Sequence, residues 1–273
     1  HHPGIDEVVE FRNPWFDRSE DATKRDVLST LQWIRSRRFD VGIDLRGDPR
    51  IICLLALGGV RYRIGYGWGG GGFLLSQELN HSPGVHQVER NVAPVQALGW
   101  NREPGFSPMP FLQVSGPEMV AMSRKLASCE WDGNEVTSEE RTIYIEDGEK
   151  MAVLHPGAGY PAKRWKLDRY GALAKWLAEK GGYRIVLIGS EDEKSLATEV
   201  IRAAGNLGVL NLCGRNSVRE LMAVLSRADL MIGNDSGPAH MAAALGTRTV
   251  ALFSGTNNVI EWAPVGARTC VVR

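Results

Sequence analysis

The sequence contains few cysteines, and none of them lies near another. Cys53, Cys129, Cys213 and Cys270 form no C-x-x-C pair. A zinc site built from closely spaced thiolates and a small disulfide-rich framework are therefore not indicated. Scattered cysteines are typical of free thiols in a reducing compartment, which predicts a cytoplasmic location.

Long hydrophobic runs and an excess of charge are absent as well. The longest apolar run, residues 51–60, is about half as long as the ~20 residues that a membrane-spanning helix needs. Lysine plus arginine and aspartate plus glutamate each number 32, so the formal net charge is zero. A transmembrane helix is therefore not predicted, and general binding to nucleic acid through net charge is disfavoured.

Two familiar nucleotide-binding signatures are missing from a glycine-containing loop at residues 156–166. This loop reads P-G-A-G-Y-P-A-K-R-W-K and contains neither G-x-x-x-x-G-K-[ST] nor G-x-G-x-x-G. A Walker A site is excluded here, and an oxidoreductase of the Rossmann type is disfavoured. A second glycine-rich stretch, residues 67–72, lacks a flanking strand–helix frame and is predicted to be a surface loop.

What the second half of the chain does contain is a regular alternation of short apolar segments and helical patterns. The order β-α-β-α-β-α-β-α-β is typical of a doubly wound parallel sheet. In the first of the helices, Asp168 is predicted to be the N-cap, with Leu173, Trp176 and Leu177 on the buried face. The predicted strands are residues 151–155, 183–188, 209–212, 229–232 and 249–253.

The first half repeats the rhythm of helix and strand, which predicts another parallel α/β layer. Three prolines at residues 101–110 mark a connector, and residues 131–150 are polar and acidic. We expect the inter-domain region in the second of these segments. The predicted domains are therefore residues 1–145 and 146–273.

The stretch I-G-N-D-S-G-P-A-H at residues 232–240 joins a predicted strand to a predicted helix. The first turn of a helix carries unpaired backbone N–H groups and partial positive charge, which favour a phosphate. Gly237 allows close approach of a ligand, and Pro238 suits the first helical position. Asp235 and Ser236 can cap the helix or contact a sugar, and His240 follows about one turn later.

The loop at residues 156–166 has the composition of a second phosphate contact. Its small residues let a phosphate approach the backbone, and Lys163 supplies positive charge. Carboxyl ends of parallel strands meet at one edge, so this loop is expected beside residues 189–193, 213–217 and 233–240. An acidic residue of the 189–193 loop could accept hydrogen bonds from a ribose. His155, at the end of the preceding strand, is predicted to have only a structural role.

These motifs resemble glycosyltransferase family 9, the ADP-heptose:lipopolysaccharide heptosyltransferases and their relatives. The resemblance rests on H-P-G-A-G-Y-P-A-K-R-W at residues 155–165, N-D-S-G-P-A-H-M-A-A-A-L-G at 234–246 and V-A-L-F-S-G-T at 250–256. Weaker matches at residues 39–47, 61–66 and 86–91 extend it over nearly the whole chain.

The resemblance implies an α/β fold of the GT-B class, with two Rossmann-like domains facing across a cleft. The donor nucleotide sugar would bind the C-terminal domain, and a lipid-linked oligosaccharide acceptor the N-terminal one. The implied activity is an inverting transfer of heptose from ADP-heptose to the lipopolysaccharide inner core. No cofactor and no metal would be needed, because a helix N-terminus and a lysine can stabilise the departing diphosphate.

The resemblance also implies roles for individual residues. Lys163 would bind the donor phosphates, Glu193 the ribose, and Asn216 would lie by the adenine. Where relatives often carry threonine or serine after the first C-domain strand, Ala158 and Gly159 offer only backbone N–H groups. The implied donor-binding set is Gly157, Ala158, Gly159, Lys163, Glu193, Asn216, Asp235, Ser236, Gly237, Pro238 and His240.

The family begins with a strand, a glycine-rich loop and a helix that this sequence does not contain. That loop carries the proposed general base, so the N-terminal domain is expected to be incomplete and the catalytic base is not assigned. A related transferase for another nucleotide sugar and a nucleotide-binding fragment without activity are therefore kept as alternatives. An acceptor on a lipid suggests peripheral membrane contact, with Arg35, Arg37, Arg38, Arg61 and Arg63 as either the contact or a solvated basic face.

Overall fold

A computed structural model describes residues 4–11, 24–80, 82–128, 145, 148–205 and 207–273, and the contacts divide the chain into two compact units. The units are His1–Pro108 and Met109–Arg273. This division differs from the expected boundary after residue 145, because helix α4 (Gly116–Ser128) packs against helix α7 (Val218–Arg227) of the second unit. Most of the predicted inter-domain segment, residues 131–144 and 146–147, lies outside the described residues.

The first unit is built on a small parallel sheet in the order β1-β2-β3. Ile34, Leu54 and Val60 form the core between its first two helices and the sheet. Asp48 starts α2 by accepting a hydrogen bond from the N–H of Arg50, with proline at the first helical position. The elements are α1 (Lys24–Arg37), β1 (Val41–Asp44), α2 (Pro49–Leu57), β2 (Tyr62–Tyr66), β3 (Gln77–Leu79) and α3 (Gln87–Ala97).

Several of the arginines that suggested a membrane contact are used within the first unit. Arg37 forms an ion pair with Glu7, and Arg35 donates a hydrogen bond to the carbonyl of Leu57. Arg63 donates to the carbonyls of Val60 and Leu74. These intramolecular contacts indicate that the arginines stabilise the fold of the first unit, and they favour this role over electrostatic attraction to a membrane surface.

The second unit contains a six-stranded parallel sheet in the order β6-β5-β4-β7-β8-β9. Counted within the unit this order is 3-2-1-4-5-6, so the predicted doubly wound sheet is confirmed. The elements after α4 are β4 (Lys150–His155), α5 (Leu167–Gly181), β5 (Tyr183–Leu187), α6 (Lys194–Ala204), β6 (Val209–Asn211), α7, β7 (Leu230–Asn234), α8 (Gly237–Ala244), β8 (Thr249–Leu252), α9 (Val259–Trp262) and β9 (Thr269–Val272).

Both faces of this sheet are covered, which explains why its strands read as continuous apolar runs. In β4, Met151 and Val153 pack with α4 and α7, while Ala152 and Leu154 pack with α5 and α6. The alternation follows from the period of two residues along a strand. The described helices include none that is both long and apolar enough to cross a lipid bilayer.

Helix α5 corrects two details of the prediction. Lys166, and not Asp168, is the N-cap residue, and Asp168 lies in the first turn, where its charge complements the helix dipole. The buried stripe runs through Tyr170, Ala174 and Leu177, whereas Trp176 is 59% exposed. Trp176 lies beside this stripe because adjacent helical residues point about 100° apart.

The two neighbours on α5 give a direct test of the packing. Leu177→Ala should lower the free energy of unfolding by about 2–4 kcal/mol, because the side chain is buried against the sheet. Trp176→Ala should change it by less than about 1 kcal/mol. Urea denaturation of both variants checks this, and equal losses would contradict the observed helix orientation.

Candidate nucleotide-binding site

A cavity opens where the sheet of the second unit changes winding direction, between β4 and β7. This is the position at which doubly wound sheets bind ligands. Its volume is about 350 Å³, and we call it the edge cavity. Its lining residues come from the end of β4, from the residue that follows β5, from the four loops expected to converge here and from α7: His155, Ala158, Gly159, Ile188, Gly189, Ser190, Glu193, Asn216, Val218, Leu221, Ser236, Gly237 and Pro238.

A buried amide fixes the loop at residues 156–166 against the sheet. Asn234, the last residue of β7, is fully buried. Its Nδ2 donates to the carbonyl oxygens of Pro156 and Gly157, at 2.9 and 3.0 Å. Its Oδ1 accepts a hydrogen bond from the N–H of Trp165 at 2.9 Å. Both ends of the loop are therefore tied to the same side chain.

Helix α8 presents its N-terminus to the edge cavity. Ser236 is the N-cap residue by backbone geometry, but the helix has no side-chain cap. The Ser236 hydroxyl instead donates to the carbonyl of Asn234 at 3.0 Å. Of the two roles expected for Asp235 and Ser236, capping through the side chain is not observed, and contact with a sugar stays a prediction. The first turn of α8 faces the cavity at Gly237 and Pro238.

His155 lines the edge cavity, and its contacts fit the structural role that the sequence indicated. It is the last residue of β4 and is 4% exposed. Its Nδ1 lies 2.9 Å from Ser236 Oγ, and its Nε2 lies 3.2 Å from Glu193 Oε2. The imidazole therefore links the carboxylate that follows β5 to the turn that follows β7. Its place at the end of the first strand of a doubly wound sheet is the signal that could have identified it.

Glu193 is held in the charged form. The hydrogen bond with His155 is the main reason that its pKa falls to about 2; burial opposes the shift and the N–H of Ser190 adds to it. A β-carbon at Gly157 would overlap the Glu193 carboxylate, so another residue there would displace this carboxylate from its present position. Gly157 does not belong to the cavity lining, unlike Ala158 and Gly159.

Lys163 belongs to a polar cluster that does not line the edge cavity itself. Its Nζ lies 2.8 Å from Asp235 Oδ2, which also accepts a hydrogen bond from Asn257 Nδ2 at 2.5 Å. His240 Nε2 lies 4.0 Å from the other oxygen, Oδ1. The side chain of Asp235 is 7% exposed, so this carboxylate is a buried anchor for the lysine.

The structure brings most of the sequence-predicted residues to one place. Asn257 was missed because nothing in the loop after β8 marks a partner more than twenty residues away. The predicted residues that line the edge cavity are Ala158, Gly159, Glu193, Asn216, Ser236, Gly237 and Pro238. Those in the adjoining cluster are Lys163, Asp235 and His240.

Comparison with known proteins places this geometry in a family. The family model of glycosyltransferase family 9 (heptosyltransferase) matches residues 27–273. The chain belongs to this family. Lipopolysaccharide heptosyltransferase 3 of Escherichia coli (strain K12) is 26% identical over 246 residues, which cover 88% of this chain and 65% of that protein. Lipopolysaccharide heptosyltransferase 2 of Salmonella typhimurium is 30% identical over 152 residues, which cover 52% and 43%. The chain thus spans less than two thirds of these relatives' length.

Solved structures agree with the family assignment. The structure of E. coli ADP-heptose lipopolysaccharide heptosyltransferase II matches with a TM-score of 0.70 and 25% identity, over 89% of this chain and 71% of that one. E. coli heptosyltransferase WaaC with ADP matches with a TM-score of 0.66 and 20% identity, over 95% and 73%, which shows the fold alone. The expected α/β fold of the GT-B class is therefore confirmed.

The pKa of Glu193 predicts a pH dependence of stability. Because the folded-state pKa is about 2 and the ordinary value is 4.5, the contribution of Glu193 is present above pH 4.5 and is lost as the pH falls towards 2. Glu193→Gln should therefore lose less stability than the wild type between about pH 6 and pH 3, as measured by urea midpoints. Glu199→Gln, at an exposed position on α6, is the control and should follow the wild type. Parallel profiles for Glu193→Gln and wild type would contradict the His155–Glu193 contact.

Proposed function

We propose that this chain acts as an inverting glycosyltransferase that moves heptose from ADP-heptose to a lipid-linked acceptor of the lipopolysaccharide inner core. Its family membership supports the reaction class. The main observation that supports a donor site in the second unit is the order of chemical groups along the edge cavity. An anion-binding end, a carboxylate and an apolar wall follow one another across the sheet in the order that a nucleoside diphosphate requires.

The strand order fixes this sequence of groups. The N-terminus of α8 follows β7, Glu193 follows β5, and Asn216 follows β6. Neighbouring strands lie about 4.8 Å apart, so the loops after β4 and β6 are separated by roughly 10 Å. We infer that the diphosphate lies at α8 and the Ala158–Gly159 backbone, the ribose at Glu193, and the base near Asn216.

Two features make the α8 end suitable for a diphosphate. The helix N-terminus supplies backbone N–H groups and partial positive charge. Lys163 supplies a full charge, and Asp235 with Asn257 keeps its ammonium group in place. Both would stabilise the negative charge that grows on the leaving diphosphate as the sugar departs.

The proposed reaction is a single displacement. A hydroxyl oxygen of the acceptor attacks the anomeric carbon of heptose, and the bond from that carbon to the diphosphate oxygen breaks. ADP leaves with the electron pair, and the hydroxyl proton passes to a general base that we assign to no residue of this chain. Attack from the face opposite the leaving group inverts the anomeric carbon. Asp235 and His240, beside Lys163, are proposed to contact the sugar.

Lys163→Ala tests the phosphate end of the site. ADP should bind about 10- to 100-fold more weakly, because a charge-assisted contact is lost and Asp235 is left without its cation. Adenosine, which has no phosphate, should bind as it does to the wild type. Calorimetric titration measures both ligands, and Lys175→Ala, which removes an exposed ion pair on α5, is the control. An equal loss for ADP and adenosine would contradict the assignment.

A transfer assay tests the reaction itself. The chain is mixed with a heptose-deficient lipopolysaccharide core and with ADP-heptose, a GDP-sugar or a UDP-sugar, and release of the nucleotide is measured. The proposal predicts release of ADP alone. Preference for another nucleotide would favour a related GT-B transferase, and tight ADP binding without transfer would favour a nucleotide-binding protein that lacks the activity.

A further inference from the structure

The carboxylate of Glu193 is held through one of its oxygens by donors of the protein. Oε2 lies 3.2 Å from His155 Nε2 and accepts a hydrogen bond from the N–H of Ser190 at 2.9 Å. With a pKa of about 2 the carboxylate is ionised near neutral pH and can only accept hydrogen bonds, so Nε2 must carry the hydrogen. The imidazole is therefore the donor, and the contact restricts the orientation of the carboxylate.

The imidazole ring is itself held from several elements. His155 is the last residue of β4 and pairs with Gly233 of β7. Its carbonyl accepts a hydrogen bond from the buried hydroxyl of Tyr170 at 3.1 Å, and its Nδ1 lies 2.9 Å from Ser236 Oγ. A side chain fixed on a rigid strand by such contacts can orient a neighbouring group with the precision that ligand recognition needs.

Exposure distinguishes the residue that can meet a ligand from the residue that acts through it. Both line the edge cavity, but the side chain of Glu193 is 16% exposed and that of His155 only 5%. Ser190 holds the same carboxylate oxygen through its backbone N–H, which a substitution does not remove. The contact that mutagenesis can test is therefore the one from His155.

We propose that His155 is a positioning residue that makes the donor site selective for a ribose over a sugar ring without hydroxyl groups. It holds Glu193 in the orientation in which the carboxylate accepts hydrogen bonds from the ribose hydroxyls. A freely rotating carboxylate would become ordered only on binding, and the entropy lost would offset the gain from each hydrogen bond. The proposal rests on the proposed function, because it assumes that the ribose of a nucleotide lies at Glu193.

Two substitutions separate the two nitrogens of the ring. Nε2 lies one bond farther from Cα than Nδ1 does, so a glutamine amide nitrogen can replace Nε2, and an asparagine amide nitrogen only Nδ1. His155→Gln therefore keeps a donor for Glu193, whereas His155→Asn keeps one for Ser236 alone. Glu193→Ala removes the carboxylate itself.

The test compares ADP with its 2′,3′-dideoxy analogue, which keeps the base and the diphosphate but lacks both ribose hydroxyls. Both ligands are titrated calorimetrically into the wild type and the three variants. The wild type should bind ADP at least about tenfold more tightly than the analogue. His155→Asn and Glu193→Ala should bring this ratio to within about threefold of one, whereas His155→Gln should retain most of the preference.

Tyr170→Phe is the matched control for a general loosening at the end of β4. It removes the hydrogen bond to the His155 carbonyl and leaves the imidazole and Glu193 in place. It should lower the urea midpoint, because a buried carbonyl loses its partner, but keep the wild-type ratio of affinities. Circular dichroism checks that each variant is folded, and His155→Leu replaces His155→Asn if the latter is not.

The possible failures are distinguishable. A wild-type ratio in folded His155→Asn, together with its loss in Glu193→Ala, would overturn the role of His155 and leave the ribose at Glu193. Equal losses in His155→Gln and His155→Asn would overturn the hydrogen bond as the cause. A ratio near one in the wild type would overturn the ribose placement, and failure of the folded wild type to bind ADP would overturn the donor site itself.

Discussion

The site depends on the three hydrogen bonds that one buried amide makes across the edge of the sheet. Asn234 donates to two carbonyls at the start of the loop at residues 156–166 and accepts the N–H of Trp165 near its end. Lys163 and the Ala158–Gly159 backbone lie between these anchors. A buried amide with both functions satisfied is a strong positional constraint, because any shift of the loop would leave a polar group unpaired.

Around this anchor, side chains from separate strands hold one another. His155 joins the loop after β5 to the turn after β7, and Asp235 joins that turn to Lys163 and to Asn257 in the loop after β8. Buried ion pairs contribute little net stability but fix geometry. The loops after β4, β5, β7 and β8 therefore form one connected polar network at the switch point, which is what a preorganised anion site requires.

Much of the fold follows from local sequence, and its exceptions have physical reasons. The strands β4 to β8 were predicted because buried parallel strands are continuous apolar runs. β9 was missed because its four residues lie at the sheet edge and alternate in exposure. α4 was expected in the first domain, and its packing against α7 depends on long-range contacts such as Lys125 with Glu220, which local patterns do not encode.

The candidate site shows the same difference between features that local sequence encodes and features that depend on long-range contacts. Residues in recognisable motifs, such as Ser236 and Gly237, were found because a glycine-containing turn before a helix has a known chemistry. Asn257 was not found, because its contact with Asp235 joins two separate loops. The contacts of His155 with Glu193 and Ser236 likewise cannot be inferred from its own segment, which indicated only a structural role. Gly157 was predicted to approach a phosphate, yet its lack of a side chain makes room for Glu193. Sequence motifs locate such a site, and the topology of the sheet decides which residues complete it.

The most direct test of this account is a crystal structure of the chain with ADP. The account predicts the diphosphate at the N-terminus of α8 and the Ala158–Gly159 backbone, the ribose beside Glu193, and the adenine near Asn216. ADP bound with its adenine at α8, or bound away from the carboxyl edge of the second sheet, would contradict it.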